Sequence, residues 1–70
     1  MQTLVFNTTD KTVEVYSGQA EQSELIFQFD NVPTVKVQEG YYEVMQKGDD
    51  DRPIPILRLP IQATNMRIIK

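Results

Sequence analysis

The chain has 70 residues, a formal net charge of −3, and neither cysteine nor histidine. Those absences exclude disulfide staples, the usual zinc and iron ligand sets, and nucleophiles built on cysteine or activated by histidine. A single domain of this size, residues 1–70, buries only about 60% of its unfolded surface. Its core is thin, and oligomerisation or a partner would supplement it.

Period-2 alternation dominates, and no helical stripe is present. Thr3–Asn7 (TLVFN) sets Leu4 and Phe6 against Val5. Lys11–Tyr16 (KTVEVY) sets Val13 and Val15 against Thr12, Glu14 and Tyr16. The turn-rich NTTDK between them predicts a first hairpin. In Ser17–Leu25 (SGQAEQSEL) only Ala20 and Leu25 are apolar, so a loop with at most one helical turn is expected. Glu24–Asp30 (ELIFQFD) places Leu25, Phe27 and Phe29 on one face, with Ile26 and Gln28 on the other. Thr34–Gln38 (TVKVQ) turns Val35 and Val37 inward. Gly40 then supplies a turn, and Tyr41–Lys47 (YYEVMQK) pairs Tyr42 with Val44 on one face. After the acidic loop come Pro53–Ile61 (PIPILRLPI), the connector Gln62–Asn65, and a last run, Met66–Lys70 (MRIIK). β-Branched and aromatic residues fill these runs, as pleated, half-buried surfaces require. The expected fold is all-β: a small antiparallel barrel of the SH3-like kind, or a compact two-sheet sandwich, with six or seven short strands.

Asp49, Asp50 and Asp51 stand in a row behind Gly48. Hard cations need carboxylates converging from several directions. Consecutive side chains in an extended segment point apart, so no metal site is expected. The triplet is instead expected to form a solvated turn that steers a partner, with Lys47 and Arg52 partly offsetting its charge. Tyr16, Tyr41 and Tyr42 are candidate stacking residues for a single-stranded nucleic acid or a small ligand. Glu14, Glu39 and Glu43 lie as close in sequence as Lys36, Lys47 and Arg58, which disfavours a phosphate track. No glycine-rich phosphate loop appears, because Gly18, Gly40 and Gly48 are isolated. Neither enzyme activity nor a cofactor is expected.

The Pro53–Ile61 segment carries the most information. Proline cannot donate to a strand ladder, so Pro53, Pro55 and Pro60 mark an edge. Its aliphatic residues exceed what one buried face needs. One face would serve the core. The other, with Val5, Ile26 or Ile69 as neighbours, would serve an interface centred on Ile54, Ile56, Arg58 and Leu59.

The expected function is a non-enzymatic protein–protein interaction module that docks on a partner or on another copy. An acidic mimic of nucleic acid, with the glutamates and aspartates gathered on one surface, is the alternative, beside the tyrosine-based ligand binder. In size, acidity and strand density the chain resembles small phage- or plasmid-encoded accessory proteins. That resemblance implies binding and blocking of a host protein, or a minor structural part, and carries over no residues. No run approaches the roughly 20 apolar residues of a membrane span. The N-terminal stretch does not read as a signal peptide. A cytoplasmic location, or the host cytoplasm for a phage protein, is expected.

Overall fold

The computed structural model describes residues 1–19 and 23–70. The segment offered for a helical turn, Ser17–Leu25, lies partly outside them. Among the described residues seven strands form: β1 (Gln2–Asn7), β2 (Thr12–Tyr16), β3 (Leu25–Phe29), β4 (Thr34–Gln38), β5 (Tyr41–Lys47), β6 (Pro53–Pro60) and β7 (Thr64–Ile69). They divide into a four-stranded sheet of order β3-β2-β1-β7 and a three-stranded sheet of order β4-β5-β6. Of the two expected architectures, the sandwich is the one adopted; the sheets do not close into a barrel.

Within each sheet the hairpins run antiparallel. The exception is β7, which lies parallel to β1, from Gln2 opposite Thr64 to Asn7 opposite Ile69. Parallel neighbours need a crossover connection. Here the connection runs through β2, β3 and the whole second sheet.

Alternation sorts the side chains. Leu4, Phe6, Val13, Val15, Val44 and Leu59 face inward and, with Val32, form the buried cluster. Phe29, Val35, Ile56, Leu57 and Met66 pack against it at half burial. Thr3, Val5, Glu43 and Met45 point the other way, yet are 8% exposed or less. They sit on central strands, where side chains of flanking strands cover them.

The chain passes between the sheets twice. The first passage, residues 30–33, buries Val32 completely. The Val32 amide donates to the Lys11 carbonyl at 2.9 Å, and the Lys47 amide donates to the Asn31 carbonyl at 2.9 Å. The second passage is a 3-10 turn, Ile61–Ala63, where the Ile61 amide donates to the Gly40 carbonyl at 3.1 Å. These passages lie at opposite ends of the strands, so they pin diagonally opposed corners.

Two bulges break the alternation. Val15 pairs with Phe27 but Tyr16 pairs with Leu25, so Ile26 is the extra residue. Leu25 thus sits opposite Tyr16, out of phase with Phe27 and Phe29, where uninterrupted alternation would have aligned all three. Likewise Val44 pairs with Leu57 but Met45 with Pro55, which makes Ile56 the extra residue in β6. A bulge bends its strand and raises local twist.

Two substitutions test the role of the first passage. Val32→Ala is expected to lower unfolding free energy by about 2 kcal/mol, since it empties a fully buried position. Val37→Ala, at a position 69% exposed, is expected to change it by less than about 0.5 kcal/mol. Urea unfolding of both variants checks this, and equal losses would show that Val32 is not a special anchor.

Candidate functional site

The acidic loop is a hairpin turn. The Asp51 amide donates to the Gly48 carbonyl at 3.1 Å, and the Gly48 amide to the Arg52 carbonyl at 3.3 Å. Asp51 takes a left-handed conformation with φ 60°. The Asp50 carboxylate accepts the Arg52 amide at 3.2 Å and lies 3.8 Å from its guanidinium. Asp49, Asp50 and Asp51 are all exposed. No cluster of three or more acidic groups suited to a metal ion occurs among the described residues.

β6 is an edge strand, as its prolines imply. The flanking bonded pairs, Gly48 with Arg52 and Gly40 with Ile61, set the phase of the ladder. Antiparallel alternation then assigns Lys47–Pro53, Met45–Pro55 and Tyr41–Pro60 to non-bonded pairs. At these positions a residue's N–H would point away from β5. All three prolines therefore delete donors from the free side of the edge.

The four residues expected to make one contact do not share a face. Leu59 is 5% exposed and belongs to the core. Ile56 packs beside that core at half burial. Arg58, the immediate neighbour of Leu59, points to the outer face, because successive strand residues alternate. Its Nε donates to the Glu43 carboxylate at 2.8 Å, and its guanidinium lies 5.0 Å from the Tyr41 ring centre. Ile54 alone of the aliphatic candidates is open, at 51%. Val5, Ile26 and Ile69, expected as neighbours of this strand, all lie in the other sheet.

The tyrosines point three ways. Tyr16 lies on the outer face of the four-stranded sheet, its hydroxyl 3.0 Å from Glu14. Tyr41 lies on the outer face of the three-stranded sheet, and Tyr42 faces inward opposite Leu59. No common stacking platform results among the described residues. The acids also disperse. Glu14 and Glu43 occupy opposite outer faces; Glu24 and Glu39 lie at one end, and Asp10, Asp30 and the triplet at the other. Glu21 lies outside the described residues.

The apolar surface is concentrated elsewhere. In β3, Leu25, Ile26 and Phe27 are 44%, 43% and 42% exposed. Val37 of β4 is 69% exposed, and Ile68 and Ile69 of β7 are 57% and 43% exposed. Phe27 and Val37 are inward-facing residues of two strands joined by the first passage, but at the ends remote from it. Ile54 and Ile68 stand in the same relation to the second passage. Both pairs thus mark corners where the sheets splay. Two open depressions lie away from these corners, of about 270 Å³ beside Thr12, Gln28, Phe29 and Asp30 at the first passage, and about 400 Å³ beside Pro55, Ile56, Leu57 and Arg58 along β6.

The sequence places a strand at ELIFQFD but does not single it out as a site, because the run has the composition of a core strand. The available signal was its place as a proline-free run between Glu24 and Asp30. No protein-family model matches the chain, and comparisons with curated proteins and with solved structures give no match.

The Arg58–Glu43 pair yields a direct test. Glu43's side chain is 9% exposed, against 60% for Arg58. Arg58→Ala is expected to cost about 1–3 kcal/mol, since it strands a nearly buried carboxylate. Adding Glu43→Gln should recover part of that loss. Urea unfolding measures both, and a neutral Arg58→Ala would show that water already satisfies Glu43. Arg58→Glu would place two carboxylates together, so lost binding in that variant would report damage to the fold.

Proposed function

We propose that this protein is a non-enzymatic protein–protein interaction module that accepts an extended strand of its partner along β3. The observation supporting this is three consecutive large apolar residues, Leu25, Ile26 and Phe27, each more than 40% exposed on an edge strand. An edge strand offers unpaired backbone donors and acceptors, and side-chain contacts then set specificity. β3 contains no proline, so its free side keeps its donors, unlike that of β6.

The flanking residues define the partner's chemistry. Glu24 and Asp30 bracket β3, and no basic residue lies between them. The favoured partner strand is largely apolar and carries basic residues and no acid. Val37, on the adjoining edge β4, extends the apolar surface. Occupying a partner's strand in this way needs no catalytic group. It accommodates both a blocking role toward a host protein and a structural role in an assembly, within a cytoplasm.

Amide chemical shifts test this reading. An extended peptide of alternating isoleucine and threonine, with lysines at both ends, should perturb the amides of Leu25–Phe29. The same peptide ended by glutamates should bind more weakly, by about tenfold or more. Ile26→Lys should abolish the response. Perturbations centred on β6, or none at any peptide concentration, would overturn the proposal.

A further inference from the structure

The four-stranded sheet has two free edges, β3 and β7, and they are unlike. We infer that β7 of a second copy of this chain is the strand that β3 accepts, so that copies join head to tail. This inference rests on the strand-accepting reading above and names the partner.

Charge carries the argument. The segment Glu24–Asp30 contains two acids and no base, whereas Thr64–Lys70 contains Arg67 and Lys70 and no acid. Arg67 and Lys70 are exposed, and neither enters an ion pair among the described residues. Neither β3 nor β7 contains proline. Both present aliphatic or aromatic surface, Leu25, Ile26 and Phe27 on one edge and Ile68 and Ile69 on the other.

The same charges oppose self-pairing. Antiparallel β3–β3 pairing about Phe27 sets Glu24 of one copy opposite Asp30 of the next. Antiparallel β7–β7 pairing centred between Ile68 and Ile69 sets Arg67 of one copy opposite Lys70 of the next. Like charges directly opposite destabilise a strand pair. The remaining edges compete poorly. β6 lacks donors at its three prolines, and β4 offers one base, Lys36, with the acid Glu39 directly after the strand, against the two bases and no acid of Thr64–Lys70.

Strand direction also permits the junction. β3 is antiparallel to β2, β2 is antiparallel to β1, and β1 is parallel to β7. β3 and β7 therefore run the same way. A copy displaced sideways along the sheet pairs them in parallel, with Asp30 and Lys70 at the same end. Such a contact is heterologous, and it grows into a ring or a filament according to the rotation between copies. A single strand pair buries little area, so association should be weak and concentration-dependent.

Sedimentation equilibrium over the low-micromolar to millimolar range tests the inference. Wild-type protein should associate progressively, and added salt should weaken association. Ile26→Lys blocks β3 and leaves β7 intact; Ile68→Glu, which sets an acid against the acidic edge, does the reverse. Each variant alone should remain monomeric. Their equimolar mixture should form one-to-one dimers and nothing larger, which also shows that both variants are folded. Wild type monomeric throughout, a mixture that stays monomeric, or an Ile68→Glu variant that still self-associates would overturn the inference. In those cases, if the lysine-ended peptide still perturbs β3, the strand-accepting reading survives and only the second copy is excluded. If the peptide also fails, both fall.

Discussion

The fold depends on how the chain gets from one sheet to the other. The described residues make two passages, and each is pinned by backbone hydrogen bonds. Val32 is inserted completely at the first, tied to the β1–β2 turn through Lys11. Ile61 ties the second to the β4–β5 turn through Gly40. Twisted sheets held at diagonal corners separate at the other two. With a buried cluster of seven side chains and no disulfide, little remains to fill the gaps. The exposure of Phe27 and Val37 at one open corner, and of Ile54 and Ile68 at the other, follows from that geometry.

The residues that preserve strict alternation were legible in the sequence. Leu4, Phe6, Val13, Val15 and Val44 fall inward as the period requires. The edge position of β6 was legible too, because a missing N–H is a fact about proline in any context. Bulges were not. The extra residues Ile26 and Ile56 look like their neighbours, and only pairing with the adjacent strand reveals them. The parallel placement of β7 was equally hidden. Met66–Lys70 alternates no differently for a parallel neighbour than for an antiparallel one, and the choice is made by where the second passage delivers the chain.

The candidate site shows a related limit. The apolar excess of β6 suggested a second buried face, and the bulge at Ile56 removes the need for one. Ile56 and Leu57 both pack on the core, so two adjacent aliphatic residues serve one face. Arg58 and Leu59, neighbours on an otherwise regular segment, are separated by the sheet itself. Composition counted the apolar residues correctly but could not assign their sides.

The four edges differ in what they exclude. An edge that lacks donors at three free-side positions pairs poorly with any partner, whatever its sequence. An edge guarded by charge is closed only to strands of like charge, and it attracts those of opposite charge. β6 uses the first device. β3, β4 and β7 use the second, with acids around β3 and bases on β4 and β7. A chain that needed only to avoid association would gain by prolines at every edge. Selective charges on the apolar strands β3 and β7 make sense where pairing is to be chosen rather than prevented. The acidic edge and the basic edge lie on opposite sides of one sheet, where neither neutralises the other within the same molecule.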